Sequence, residues 1–115
     1  MGESPVSVTS EYLEYVRDLL EWIPELRSRH MFGGVGLYSG ERFFAILADD
    51  TLYLKADDAS RPLFRDGCAE AFSYLRQGNA CALDYWSVPA EVLEEPDLLR
   101  QWGQAALDAA LRAKR

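Results

Sequence analysis

The chain has 115 residues, of which 49% are hydrophobic and 27% are charged, and its formal net charge at pH 7 is −7. This size and composition are typical of one globular domain, and they argue against a disordered chain and against a membrane protein, since no apolar run approaches the roughly 20 residues that span a bilayer. With 19 acidic and 12 basic residues, the domain is also poorly suited to bind DNA phosphates directly.

The first predicted element is a helix over residues 9–23, after a polar amino-terminal stretch (residues 1–8) that is expected to be loose. Thr9 or Ser10 is suited to cap the free backbone N–H groups, and Pro24 should end the helix because it cannot continue the hydrogen-bond ladder. The apolar residues that recur at helical spacing are Tyr12, Leu13, Val16, Leu19, Leu20 and Ile23.

Three glycines interrupt the next apolar segment, which runs from Leu26 to Tyr38. Glycine inside a strand marks a bulge or a close approach of another backbone. The segment is therefore predicted to form two strands or one bulged strand, packed tightly against a helix or a neighbouring chain. A nucleotide-binding loop is not favoured, because Ser39 stands at the sixth position of the GxGxxG pattern and no helix start follows the glycines.

The rest of the chain alternates strand and helix signals. In chain order, the expected elements are a Ser39-Gly40 turn, a strand over 42–48, an Asp49-Asp50 turn, a strand over 51–55, a short helix ending at Gly67, strands over 72–75 and 80–86, and a helix over 98–114. The order is α-β-β-β-α-β-β-α. It predicts one α+β domain over residues 1–115, with two layers: an antiparallel sheet of about five strands and helices on one face.

The residue types that catalysis and metal binding require are sparse. His30 is the single histidine, and the two cysteines, Cys68 and Cys81, form no CxxC pair. The amino terminus lacks the basic and apolar blocks of a secretory signal. We therefore expect a cytoplasmic protein that is not an enzyme, needs no cofactor or metal, and keeps both thiols reduced; a single disulfide is the alternative.

The sequence offers more candidate binding residues than candidate catalytic residues. Tyr38, Tyr53, Tyr85 and Trp86 could leave an uncovered sheet face that suits a protein partner, although a core role is the alternative for each of them. A second hypothesis is a small-ligand module for an anionic metabolite. Its residues would be Arg29, Gly33, Gly34, Gly36, Arg42 and Lys55, with the glycines admitting the ligand and the cations holding it.

The sequence leaves two further kinds of partner open. Direct DNA binding would use Arg27, Arg29 and the basic tail at Arg112, Lys114 and Arg115, and it is disfavoured by the acidic balance of the chain. Self-association stays open, because a homodimer would cover the edges of an open sheet.

The string Met31-Phe32-Gly33-Gly34-Val35-Gly36-Leu37-Tyr38 resembles the signature of the amino-terminal domain of the TfoX/Sxy family. The resemblance extends from about Tyr12 to Ala110. It includes Phe43-Phe44-Ala45, Leu52-Tyr53-Leu54-Lys55, Phe64, Gly67, Phe72-Ser73-Tyr74, Asp84-Tyr85-Trp86, Pro89, Leu99 and Trp102.

The resemblance implies a two-layer α+β fold similar to that of type III secretion chaperones. It also implies a bacterial regulatory role, since the family is named for regulators of DNA-uptake competence that act with the cyclic-AMP receptor protein at certain promoters. Those regulators carry a second, carboxy-terminal helical domain, so the chain is expected to be a single-domain member. The family brings no catalytic residues to assign, and a partner in the transcription machinery is the expectation.

Overall fold

The computed structural model describes residues 8–31, 34–67, 69–76 and 79–113. The elements are α1 (Ser10–Leu19), β1 (Leu26–Met31), β2 (Gly34–Ser39), β3 (Arg42–Ala48), β4 (Thr51–Lys55), α2 (Arg61–Asp66), β5 (Ala71–Arg76), β6 (Asn79–Ser87), α3 (Ala90–Leu93) and α4 (Pro96–Ala113). The strands form one antiparallel sheet in the order β1-β2-β3-β4-β6-β5.

The predicted α+β class is confirmed, with two differences in detail. The glycine segment forms two separate strands, β1 and β2, which pair from Leu26↔Ser39 to Met31↔Gly34, so the sheet has six strands rather than about five. The acidic connection before the last helix contains an additional short helix, α3. None of the helices in the described ranges is both long and apolar enough to cross a bilayer.

The amino-terminal helix begins as predicted and ends early. The Thr9 hydroxyl accepts a hydrogen bond from the Tyr12 backbone N–H at 3.1 Å, which confirms the N-cap. Val8, predicted to be loose, packs against the core. The helix ends at Leu19 and not near Pro24, because Leu20 has left helical geometry and the chain then turns through Glu25 at a φ of 50°.

Two tight turns set the registers of β2, β3 and β4. Gly40 and Glu41 connect β2 to β3, with Gly40 at a φ of +62°, so the Ser39-Gly40 turn was predicted one residue too early. Asp49 and Asp50 connect β3 to β4 as predicted. Their φ values of 52° and 50° match the left-handed pair that a two-residue hairpin needs.

The hydrophobic core lies between the helices and one face of the sheet. Strand residues on this covered face alternate with residues of the opposite face, as the two-residue period of a strand requires. Val35, Leu37, Ala45, Leu47, Leu52 and Leu54 come from the sheet, and Leu99, Trp102, Ala106 and Ala110 come from α4. The last helix forms as predicted and buries these residues along one face, whereas Leu98 is 41% exposed.

An ion pair ties the carboxy-terminal part of α4 to the loop before α2. The Arg112 guanidinium donates to both carboxylate oxygens of Asp57, at 2.6 and 2.9 Å. These bonds, with further bonds from Ser60, lower the pKa of Asp57 to about 2. Arg112 was predicted to belong to a basic tail, whereas here its charge is matched by a carboxylate; Lys114 and Arg115 lie outside the described residues.

The Asp57–Arg112 pair should make stability depend on pH. Because the pKa of Asp57 in the folded chain lies below its ordinary value of 3.8, the pair stabilises the fold at neutral pH, and this contribution is lost as the pH falls through the interval between these two values. We expect Arg112→Gln to lower the free energy of unfolding near pH 7 and to lower it less near pH 3, where protonation of Asp57 in the unfolded chain already weakens the contribution of the pair. Urea unfolding near pH 7 and near pH 3 would measure it.

The matched control is Arg42→Gln, which removes an exposed arginine from the first position of β3. Its effect should be small at both pH values. An Arg112→Gln deficit that is equally large at neutral and acidic pH would contradict the assigned role of the ion pair.

Candidate functional site

The face of the sheet opposite the helices is the candidate site, and it is called the open face below. Directly paired residues of neighbouring strands lie on the same face. The cross-strand pairs and ring contacts assign to it Arg27, Arg29, Gly36, Tyr38, Phe43, Ile46, Tyr53, Lys55, Phe72 and Tyr85. In the described ranges, the core cluster that joins helices to sheet contains none of these residues.

Aromatic rings form the centre of the open face. Tyr38 stacks on Phe43 with ring centroids 5.1 Å apart, and Phe43 packs against Tyr85 at 5.6 Å. A second pair, Tyr53 and Phe72, meets edge to face at 4.8 Å. Tyr85 is 8% exposed, whereas the other four rings are half-buried. The rings therefore cover one another and still present apolar surface to solvent.

Tyr53 and Tyr85 of this face are neutral hydrogen-bonding groups at physiological pH. Burial raises the pKa of Tyr85 to about 12, with the nearby Tyr38 as a second cause. Burial also raises the pKa of Tyr53, and Asp49 and Glu70 add to that shift. A neutral phenol can donate a hydrogen bond from an apolar surface, which is the property that enriches tyrosine at protein interfaces.

Positive side chains border the aromatic centre. The Lys55 ammonium lies 5.2 Å from the centre of the Tyr85 ring, within the range of a cation–π contact. Arg27 and Arg29 project from β1 and are exposed. A shallow pocket of about 380 Å³ lies beside them and is lined by Arg27, Ser28, Arg29, Tyr38, Gly40 and Glu41.

The proposed anion-binding residues do not converge. Arg29 pairs with Gly36, and Lys55 lies on the same face but on β4. Three strand spacings separate β1 from β4, a distance of about 14 Å. Arg42 follows the opposite side of β3 from Phe43, by the alternation of the strand. Gly33 lies outside the described residues, so the structure gathers only part of the predicted set.

Gly34 shows why one of the glycines is required. A Cβ atom built on Gly34 would collide with the carbonyl oxygen of Leu47, a backbone atom of β3. The predicted close approach of a neighbouring chain is therefore confirmed at this position, and the neighbour is the adjacent strand. The glycine at this position therefore acts in packing between β2 and β3.

Three of the four aromatic residues predicted for an uncovered face lie on the open face, and Trp86 does not. Trp86 pairs with Leu54, packs against the core, and donates from its indole N–H to Asp84 at 2.9 Å. The same carboxylate accepts from Arg61, which lowers its pKa. The strand alternation places Tyr85 and Trp86 on opposite faces, and this signal was available in the sequence.

Phe43 and Phe72 also belong to the open face, although neither is among the four aromatic residues predicted for it. The missing information is the irregular pairing of β2 with β3, where the register shifts between Leu37 and Tyr38. This shift leaves Phe44 buried on the covered side and Phe43 on the open side. The sequence signal for the uncovered face is the alternation along β4, which places Tyr53 and Lys55 on one face and Leu52 and Leu54 on the other.

The chemistry of metal binding finds little support in the described part of the chain. No group of three or more His, Cys, Asp or Glu side chains is placed to hold a metal there. His30 is exposed on β1 and pairs with Val35, so it follows the side of the strand opposite Arg29. Cys68 lies outside the described residues, as does the side chain of Cys81, so the reduced state of both thiols stays a prediction.

Comparison with known families matches residues 7–110 to the TfoX N-terminal domain. A relative named DNA transformation protein TfoX1, from Aliivibrio fischeri (strain ATCC 700601 / ES114), is 26% identical over 80 residues. The aligned region covers 70% of this chain and 38% of that relative, so the chain spans well under half of the relative's length. The resemblance drawn from the glycine segment and the strands around it is thereby confirmed.

The close contact at Gly34 yields a direct stability test. We expect Gly34→Ala to lower the free energy of unfolding by about 1–3 kcal/mol, because a rigid backbone oxygen must move to admit the methyl group. Chemical unfolding followed by circular dichroism would measure the loss. An alanine variant as stable as the parent would show that β2 and β3 are not held as closely as described.

Proposed function

We propose that this chain, which belongs to the TfoX N-terminal domain family, acts in the regulation of DNA-uptake competence through contacts with another protein and without catalysis. The observation that carries the proposal is the family match over residues 7–110, together with a relative named as a DNA transformation protein. The open face is the surface that we assign to those contacts.

The composition of the open face supports a protein partner. Aromatic residues and arginine are enriched in protein interfaces, and tyrosine supplies contact area at a low cost in conformational entropy. The open face carries both types, with half-buried rings at the centre and the cations Arg27, Arg29 and Lys55 around them. This arrangement of an apolar centre and a polar rim is the usual anatomy of an interface.

The electrostatics favour a protein over DNA as the direct partner. The formal net charge of the chain is −7, and counterion release from DNA requires several phosphate contacts by Lys and Arg. Arg112, nominated as part of a DNA-binding tail, is engaged by Asp57. We therefore propose a cytoplasmic role in which any effect on promoters passes through a protein of the transcription machinery.

The proposal predicts that function depends on the open face. In the organism that encodes the chain, we expect its deletion to change the transcript level of DNA-uptake genes, and the parent sequence to restore that level. The double substitution Tyr38→Ala with Lys55→Glu should fail to restore it, because it removes one ring and reverses one charge at the proposed contact surface. Transcript levels and transformation frequency are the measurements.

Tyr15→Ala is the matched control, since Tyr15 is 45% exposed but lies on α1 on the helical side of the molecule. It should complement like the parent. Circular dichroism of both purified variants checks that folding is intact. Unchanged transcripts after deletion would remove the competence role, and full complementation by the open-face variant would remove the assigned surface.

A second candidate function is the binding of a small anionic metabolite, and the pocket beside β1 is the observation that favours it. Arg27 and Arg29 both line this pocket, and the Arg27 guanidinium donates to the Gly40 carbonyl oxygen at 3.4 Å. Glu41 also lines the pocket and opposes an anion there. Of the three cations predicted to hold an anion, Arg29 lines this pocket, whereas Arg42 and Lys55 do not. Arg27 is the second cation of the pocket.

Thermal unfolding separates the two candidates. A genuine metabolite site should stabilise the fold by about 2.7 kcal/mol at a ligand concentration 100 times the dissociation constant. The probes are inorganic phosphate, citrate and adenosine triphosphate. Any change that they cause in the midpoint of thermal unfolding should be the same in the parent and in the double variant Arg27→Gln with Arg29→Gln. A saturable shift that this double variant removes would favour the metabolite site over the protein interface.

A further inference from the structure

The strand β1 forms one edge of the sheet and is built to accept another strand. Among the described residues it pairs with β2 alone, through six consecutive residue pairs without a register shift. Proline is absent from its sequence, Leu-Arg-Ser-Arg-His-Met. An edge strand directs half of its backbone N–H and C=O groups away from the sheet, and a regular edge is a template for a further strand.

The opposite edge of the sheet is less suitable. β5 forms that edge, and its pairing with β6 shifts register between Ala71 and Ser73. A bulge twists an edge and interrupts its row of hydrogen-bonding groups, which is a common protection against pairing. Of the two edges, β1 is the regular one.

The charges beside β1 indicate what kind of strand would fit. Arg27 and Arg29 lie on the open face, two residues apart and exposed. On the other side of the strand, Arg17 of α1 reaches the edge and donates to the Ser28 hydroxyl at 3.0 Å. Two nearby carboxylates, Glu25 and Glu41, lie at the Leu26 end of the strand. Arginine side chains therefore lie near the middle of the edge on both sides of the strand.

These charges disfavour a second copy of the chain as the occupant. In a symmetric antiparallel pair of β1 strands centred on Ser28, Arg27 of each copy would lie opposite Arg29 of the other. Centring the pair on Arg27 or on Arg29 instead places that arginine opposite its own copy. Like charges directly opposite one another destabilise a strand pair, whereas opposite charges stabilise it.

We propose that β1 accepts an extended, acidic segment of a protein partner, which pairs with it as a seventh strand. Two acidic side chains of the segment, two residues apart, would lie on the open face opposite Arg27 and Arg29. The remaining side chains on that face would continue the aromatic surface beyond Tyr38. The inference rests on the proposed function as an interaction domain and adds the class of partner segment that the domain recognises.

A capped peptide of sequence Thr-Val-Glu-Val-Glu-Val-Thr tests the inference on the intact chain. We expect saturable binding with a dissociation constant below about 1 mM, read from backbone amide shifts in ¹⁵N-labelled protein. The largest shifts should fall on Leu26–Met31, and hydrogen exchange should slow at those amides as they gain partners. Two changed peptides supply the comparison: lysine in place of both glutamates, and proline in place of the central valine.

Both changed peptides should lose the interaction, the first through charge repulsion and the second because proline cannot donate to the new ladder. On the protein, Arg27→Glu with Arg29→Glu should weaken binding of the acidic peptide by about tenfold, from two reversed cross-strand pairs. Arg65→Glu reverses one charge on an exposed arginine of α2 and should leave the affinity unaltered.

Equal binding of the lysine or proline peptide, shifts confined to the helices, or no binding of the acidic peptide would each overturn the inference. Dimerisation of the free chain that protects the β1 amides, seen by sedimentation and hydrogen exchange, would assign the edge to a second copy. The peptide comparison needs no protein variant, so a misfolded double variant leaves the test intact. If deletion still alters competence transcripts while the peptide fails, the proposed function stands and only this inference falls.

Discussion

Packing of the last helix against one face of the sheet is the constraint on which the rest of the structure depends. Trp102 of α4 lies against the Phe64 ring, with centroids 5.0 Å apart, and fills the space beside Gly67 so fully that a Cβ atom there would collide with the indole. The alanines that follow let the helix lie close to β3 and β4. A chain of this length can bury about two-thirds of the surface exposed on unfolding. Here the helices bury surface against a single face of the sheet.

The open face results from this one-sided arrangement. In the described part of the chain, the helices pack on the other face of the sheet. The large side chains of the open face therefore pack against one another: Tyr38 against Phe43, Phe43 against Tyr85, and Tyr53 against Phe72. Mutual contact hides part of each ring from water and leaves the remainder exposed. The same rings therefore protect part of the sheet from solvent and present an apolar contact surface. A bound partner would bury the ring surface that the chain itself leaves exposed.

Local signals in the sequence were sufficient for much of the fold, and pairing between distant strands explains the rest. The N-cap at Thr9, the Asp49-Asp50 turn and the alanine stripe of α4 depend on neighbours in the chain, and each was predictable. The faces of Phe43 and Arg42 depend on the shifted register between β2 and β3, which no local pattern encodes. The Arg112–Asp57 contact joins residues 55 positions apart, so the apparent basic tail could be recognised as an ion pair only in three dimensions.

The glycine segment connects the fold to both proposed surfaces, and its position accounts for the likeness by which the family was recognised. Gly34 brings β2 against the backbone of β3, which fixes the register of the strand that carries Tyr38. Gly36 lies between Arg29 and Ile46 in the row across the sheet, so β2 places no side chain beside Arg29 on the open face. With glycine there, β1 and the open face form one continuous surface, which a single partner could cover with a strand and the side chains that follow it.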